Sequence, residues 1–581
     1  MKDELQLMDP QRVPFSRRES WLCVSYLADE QSFWLRNLRG GDEHTDLGRL
    51  FRLTPIDAAG QPLQGTWRLS PEVLSFHCAA GQLALAFADA DTLALSAQGI
   101  GLSLTLQSKR YDYAQRLPDA LHISCASQDL SARLTLAEGA SQLDAPWQGQ
   151  RAERIACALL PGDQGRLRAA LHLYRVAPQR LDCPAFEEAK QSAAADFADW
   201  LAKCPPVLPE QQAARSLAGY ITWSCLVPAE GQLAYPAMYM SKNWMTNIWS
   251  WDHCFNALAL GATQPERAWQ QLALLFAHQH ASGRLPDFVN DRFAYWRFTK
   301  PPVHGWTVAQ LRRMAPSFWT GERCAQAYGW LAAQVESWMA NAGQHGLPAY
   351  DHGNDAGWDN ATSFLPGTPL QSPDLSCFLI LQMEELAALA TLRQKPEAAQ
   401  QWLQRADALC ARLMSQLWDG ERFIAFCDGG ARPEPGADSL IAFLPLILGP
   451  RLSEAQRQTL LQGLMAPGRF LSPHGLATES QHSPFYRADG YWRGPIWAPT
   501  MLLFVDALDR CGRRDLGDEL ARRFTAMAAR SGMAENFDAQ TGAGLRDPAF
   551  TWTSSVFLLL AQRLLKREEA LAATQEFIDV E

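Results

Sequence analysis

The stretch WDHCFNALALGATQPERAWQQLALLFAHQH, residues 251–280, decides the fold. Apolar residues recur at helical spacing on both sides of a short break, which predicts two helices, 252–262 and 265–281. Long connecting segments flank the pair at 227–251 and 282–304. Working outward, the same pattern predicts helices at 209–226, 305–315, 320–341, 374–395 and 397–419. Further helices are expected at 437–448, 454–466, 492–511, 515–530 and 549–565, making twelve. Short links near 263, 317, 396, 451 and 513 alternate with long ones, the others being 342–373, 420–436, 467–491 and 531–548. Helices joined by short links are antiparallel neighbours, so all six long loops should emerge at one end. That organisation is an all-α (α/α)6 barrel over residues 209–581. No 34- to 45-residue sequence repeat favours an open solenoid.

Upstream the period changes from helical to alternating. Leu83, Leu85, Phe87 and Leu102, Leu104, Leu106 and Ala132, Leu134, Leu136 alternate with polar positions. Turn residues punctuate these runs at Gly40, Ala58, Leu69 and Ala88. Residues 1–183 therefore read as an N-terminal antiparallel β-sandwich, and 184–208 as a linker helix.

The chain has 581 residues, 47% hydrophobic and 20% charged, an ordinary globular balance. A net charge of −10 argues against a nucleic-acid partner. No run reaches the roughly 18 apolar residues of a membrane span, so no membrane partner is expected. The N-terminal MKDELQLMDPQ has no apolar h-region. Thirteen scattered cysteines without a CxxC pair fit free thiols, and a cytoplasmic location is expected. Of the 21 Trp, only Trp21, Trp34, Trp67 and Trp147 precede residue 200. The remainder lie in the helical part, where flat indole faces suit a core or a sugar ring.

The long loops carry the unusual residues. The first holds Trp244, Trp249, Trp251, Asp252 and His253; the second holds Arg284 and Asp287, with His304 and Trp306 after it. The third holds Asp351, Asp355, Trp358, Asp359 and Asn360. The fifth, with the expected helix after it, gives Glu479, Tyr491, Trp492, Arg493 and Trp497. The sixth gives Glu535 and Asn536, followed by Trp552. Aromatic faces beside carboxylates, Arg and Asn are what a carbohydrate site needs. Asp351 and Asp355 read as caps or turn residues, with Asp355 alternatively holding the Gly-rich loop. The β part is expected to carry no chemistry of its own; after Trp34 and Arg36 its Gly40–Asp46 run reads as a solvent-exposed hairpin, with a loop closing over the aglycone side as the alternative.

NIWSWDHCFNALAL, GWDN, YWRGPIW and ENFDAQTG resemble, in this order, motifs of glycoside hydrolase family 63. The resemblance spans roughly residues 205–570, and the β part fits the family's layout. It implies an inverting exo-acting α-glycosidase with Asp359 as general acid and Glu535 as general base. It favours an α-glucosidase for a small α-glucoside or oligosaccharide, with an α-mannosidase for mannosylglycerate-like compounds as the near alternative. Substrate binding is expected from Trp249, Trp251, Asp252, Asp287, Trp358, Asn360, Tyr491, Trp492, Arg493, Trp497 and Trp552. Where many members have an ESG-like run before the D-N pair, this chain has NDAGWDN. Six expected helices separate the Asp359 and Glu535 loops, and an even number returns the chain to the same end. Two readings from other classes stand beside this one. A sugar epimerase or isomerase would need clustered His bases, and here they are dispersed. A glycan-binding protein would need no opposed carboxylates. No HExxH, P-loop or dinucleotide fingerprint implies a cofactor or catalytic metal. The resemblance leaves a structural Ca²⁺ open, with no defined loop for it. The expected partner is a small carbohydrate.

Overall fold

The computed structural model of the chain describes residues 8–43, 46–340, 342–343, 346–427 and 430–578. Its contacts divide it into two units. The first comprises Met1–Lys203, Gly219–Pro228 and Ser241–Thr246. The second comprises Cys204–Ala218, Ala229–Met240 and Asn247–Glu581.

The first unit is β-rich. A six-stranded sheet has the order Leu22–Leu27, Ser32–Asn37, Arg49–Ile56, Gly101–Leu106, Ile155–Leu160 and Ala140–Asp144. An eight-stranded sheet has the order Thr66–Ser70, Val73–Cys78, Gly81–Phe87, Thr92–Gln98, Arg166–Tyr174, Leu130–Glu138, Ala120–Cys125 and Tyr113–Arg116. Alternation places the leucines on one face. Leu35, Leu53, Leu104 and Leu159 of one sheet and Leu85, Leu95, Leu134 and Leu171 of the other line a common apolar space. Leu136 breaks the expected alternation and is only half-buried, because the register shifts between Leu136 and Glu138. Helix α1 (Phe186–Lys203) buries Ala189, Ala193, Phe197 and Trp200, and Ala189 packs on Ala86 and Ala94.

Arg36 is buried in this unit and its donors are taken. Its Nε donates to Leu47 O (2.6 Å) and its Nη1 to Ser25 Oγ (3.2 Å) and Lys242 O (2.9 Å). Trp34 is buried too and donates to Ser32 Oγ at 3.0 Å. Of the Gly40–Asp46 run, His44 and Thr45 lie outside the described residues, and Asp46 pairs with Lys109.

Helix α2 (Gln212–Ser224) precedes the helical series of the second unit. There α3 (Asp252–Leu260), α5 (His304–Met314), α7 (Pro373–Leu392), a 3-10 run Leu440–Arg451, α10 (Ala498–Arg510) and α12 (Thr551–Ile578) each pack on the next, and α12 returns to α3. The alternate helices form a second layer. Helix α4 (Pro265–Phe276) packs on α3 and α5, and α6 (Gly321–Ala340) on α5 and α7. Helix α8 (Pro396–Leu417) packs on α7, α9 (Glu454–Met465) on the 3-10 run, and α11 (Arg514–Ser531) on α10 and α12. Helix α7 is long and apolar enough to cross a bilayer by length and composition, contrary to the expectation that no run is, yet 78% of its apolar window is buried. It touches α5, α6, α8 and the 3-10 run, so it is apolar all round because it is surrounded.

Four expected helices differ: the one at 265–281 ends at Phe276, the one at 549–565 runs on to Ile578, and two change in form or start. The one at 437–448 is a 3-10 run, since Pro445 and Pro450 remove amide donors and Gly449 (φ 54°, ψ −114°) breaks it. The one at 492–511 begins only at Ala498, with Pro499 in its first turn. Residues Ile496–Trp497 instead pair antiparallel with Asn536–Phe537.

Candidate active site

The loops before α3, α10 and α12 meet in one aromatic cluster at the starts of those helices. Trp492 stacks on Trp497 with ring centres 4.0 Å apart and planes 4° from parallel. Trp358 lies 4.9 Å and Trp251 6.1 Å from Trp492. Trp552 packs edge-on to Trp251 (5.7 Å) and Trp497 (5.5 Å). Tyr491 closes the group, 5.0 Å from Trp497, whose Nε1 donates to Tyr491 O at 3.0 Å. Aromatic pairs at these separations prefer offset or edge-on geometry, which fixes each ring by its neighbours. The glycine of Gly357-Trp358-Asp359 follows from this packing. Its φ is +69°, and a Cβ there would lie 2.6 Å from the Trp251 ring.

Carboxyls gather around the cluster. The Tyr491 hydroxyl is raised well above its ordinary value by burial and then by the charges of Asp359, Glu535 and Asp252. The charges of carboxyls from three separate stretches of chain thus act on one buried phenol. Asp252 lies in the first turn of α3, 4% exposed, and burial pushes its carboxyl up to about 8. Burial, and then the neighbouring Asp547, raise Glu535 to about 8 as well. Burial also raises the half-buried Asp359, while the nearby Lys300 pulls it down. Asp252 Oδ2 and both amide atoms of Asn536 are buried without a protein hydrogen-bond partner. Polar atoms in that condition cost about 1–3 kcal/mol each until a ligand or water meets them.

Other groups brace the site. Glu535 sits at the start of a hairpin: its N–H donates to Asp547 O (2.7 Å), and Asn536–Phe537 pairs with Gly544–Leu545. Trp552 Nε1 donates to Glu535 O at 3.3 Å. Asn360 ties two loops together. Its Nδ2 donates to Gly490 O (3.1 Å), its Oδ1 accepts Trp492 N–H (2.9 Å) and its carbonyl accepts Arg493 Nε–H (2.6 Å). Tyr491 and Arg546 both hold left-handed backbones (φ 63° and 61°), and the Arg546 guanidinium lies 4.9 Å over the Tyr491 ring. Strain of this kind persists only where the surroundings over-determine it.

Not every expected residue joins the cluster. Trp249 packs instead on Phe288 (5.4 Å), which stacks on Tyr295 (4.9 Å). Asp287, buried, reaches the site through Lys300 at 2.9 Å. Glu479 is a latch: its carboxylate accepts from Thr362 Oγ1 (2.7 Å), Ser483 Oγ (2.5 Å) and Asp438 N (2.9 Å). Asp355 accepts Thr299 N–H at 2.9 Å. Trp306 and His304 belong to α5, where Trp306 donates to Asp506 (2.8 Å) and His304 bonds Ser250 O (2.8 Å). Burial pushes His253 down to about 3 and His304 down to about 4, so both imidazoles are neutral packing groups. Trp244 is exposed and falls in the first unit. Lys300, Arg546 and Asp547 escaped the sequence reading, since an isolated Lys before Pro-Pro and an Arg-Asp pair in a turn carry no spacing signal.

Residues 245–553 match the family model described as a mannosylglycerate hydrolase MGH1-like glycoside hydrolase domain. The chain is similar to a mannosylglycerate hydrolase of Thermus thermophilus, 26% identical over 398 residues, covering 53% of this chain and 93% of that protein. A solved structure of a family 63 mannosylglycerate hydrolase from Thermus thermophilus, in complex with glucose, aligns with TM-score 0.51 and 23% identity. It covers 59% of this chain and 99% of that one. A bacterial glucoamylase complexed with acarbose aligns with TM-score 0.62 and 12% identity, over 96% of this chain and 94% of that one. Both structural likenesses are of fold alone.

Proposed function

Because the chain belongs to the mannosylglycerate hydrolase MGH1-like glycoside hydrolases of family 63, we propose that it is an inverting, exo-acting α-glycosidase of small α-glycosides, built as a β-sandwich followed by an (α/α)6 barrel. Asp359 is the general acid and Glu535 the general base. The observation that carries this reading is the packing of Trp358, which adjoins Asp359, and of Trp552, whose Nε1 donates to Glu535 O, into one aromatic cluster.

Inversion needs a protonated carboxyl at the leaving oxygen and a carboxylate that activates water on the opposite face of the sugar. Burial favours the proton on Asp359, as a general acid requires. Glu535 must give up its own proton before it can accept one from water. The Arg546 guanidinium favours that ionisation, and the Asp547 charge opposes it. The open Asp252 Oδ2 and Asn536 amide are suited to sugar hydroxyls, and the indoles to the apolar ring face.

The glycone is glucosyl or mannosyl. The name of the Thermus thermophilus relative favours mannosylglycerate, and an α-glucoside or oligosaccharide is the reading to test against it. The deciding experiment incubates the protein with mannosylglycerate, its glucosyl counterpart and short α-glucosides, and follows the products by NMR. Release of free sugar of inverted configuration supports the proposal. A retained anomer, an isomerised sugar or no release from any of them overturns it.

A further inference from the structure

Lys300 is a buried cation among carboxyls. Its side chain is 6% exposed and lies in the loop before α5. Its Nζ is 2.9 Å from Asp287 Oδ1 and donates to Asn354 O at 2.8 Å. It also bonds the Asn354 side chain. Asn354 belongs to the short 3-10 turn Gly353–Ala356, immediately before Trp358 and Asp359. One ammonium therefore ties the second long loop to the loop that carries the proposed acid. The neighbouring Thr299 reinforces the tie, since its N–H donates to Asp355 Oδ1 at 2.9 Å.

The charges facing Lys300 come from three elements. Asp252 stands at the start of α3, and Asp287 on the second loop. Asp355 and Asp359 lie on the third. Lys300 favours the ionised form of all four. Arg284 acts in the same sense on Asp355, and His352 on Asp359. Asp351 opposes them at Asp355.

We propose that Lys300 is a positioning residue: through Asp287 and Asn354 it fixes the loop of Asp359 and holds a positive charge against that loop. The inference rests on the reading of Asp359 as the acid. Neutralising Lys300 removes an opposite charge from each carboxyl, so they hold their protons to higher pH. A brace without an electrostatic role would lower activity by one factor at every pH.

The test compares wild type, Lys300→Met, Lys300→Arg and the Asp287→Asn/Lys300→Met double variant. The double variant leaves no unpaired buried partner at Asp287, so it folds where the single variant is weakened. The first readout is the pH profile of kcat/KM on whichever of the glycosides tested by NMR is hydrolysed. Lys300→Met is expected to raise an apparent pKa by about one unit, the size of shift an adjacent charge produces. Lys300→Arg is expected to stay near wild type, and the shift is expected to shrink in the double variant, because the opposing Asp287 charge is removed with that of Lys300. The second readout is the titration of Asp carboxyls by NMR in Asp-selectively ¹³C-labelled protein, with Asp359 assigned through Asp359→Asn. An upward shift of Asp359 in Lys300→Met supports the inference. Unmoved carboxyls, or a fall in activity that is the same at every pH, overturn it. If wild type hydrolyses nothing, or Asp359→Asn retains full turnover, the assigned reaction is wrong, and the carboxyl titration still decides the role of Lys300.

Discussion

Asp359 adjoins Trp358 and Glu535 O accepts from Trp552 Nε1, two rings of one aromatic cluster, and single side chains decide what each carboxyl can do. If they are acid and base, Asp359→Asn and Glu535→Gln should each lower turnover by about a hundredfold or more, because each removes a positioned proton-transfer group. Single-turnover kinetics on the identified substrate check this, with circular dichroism excluding misfolding. Arg493 has a narrower part. Its Nε is engaged by Asn360 O at 2.6 Å, while the side chain stays partly open. Arg493→Ala should raise KM by about tenfold or more, the worth of one charge-assisted hydrogen bond. An unchanged KM and kcat would leave Arg493 as a loop brace. The residues legible in the sequence were those with unusual side chains in motifs, such as Trp358-Asp359-Asn360. Lys300 was not legible, because its meaning lies in four carboxyls up to 59 positions away.

Helix against helix, the packing sets tolerances that sequence periodicity does not reveal. Gly305, in the first turn of α5, is where α5 crosses α7: a Cβ there would lie 2.4 Å from Gln382 Cα. Backbone cannot give way cheaply, so Gly305→Ala should destabilise by about 1–3 kcal/mol or more. Gly329 in α6 is the control, with nothing within 4 Å of its added Cβ. Gly329→Ala should stabilise by about 0.5–1 kcal/mol through helix propensity. Urea midpoints of the two variants measure both signs. The helix expected from 492 illustrates the same limit. Its first residues pair instead with Asn536–Phe537, a contact between loops some forty positions apart in sequence, and that pairing places Trp497 opposite Asn536 beside Glu535.

At the scale of the whole molecule, burial makes two carboxyls hold their protons to high pH. Asp252 and Glu535 are both raised to about 8 from ordinary values of 3.8 and 4.5. A carboxyl raised on folding binds more protons in the folded than in the unfolded chain. Its contribution to stability is therefore fully present below about pH 4 and is lost as pH rises towards 8. Asp252→Asn should remove part of that slope and gain on the order of 1 kcal/mol or more at pH 8, with little change at pH 4. Thermal melts of both proteins at pH 4–8 check it, and equal slopes would show that Asp252 does not titrate in this window. The sequence by itself determined the β-rich first part, the alternation of helices with long and short links, and the motifs that mark a glycoside hydrolase. Those features are local: period, turn chemistry and residue type act over a few positions. Only the folded chain shows the 3-10 form of Leu440–Arg451 and the separation of Trp249 from the other indoles. It also shows that Glu479 latches loops and that Lys300 joins two of them. Burial and charge pairing depend on groups brought together from distant loops, so they exist only once the chain has folded.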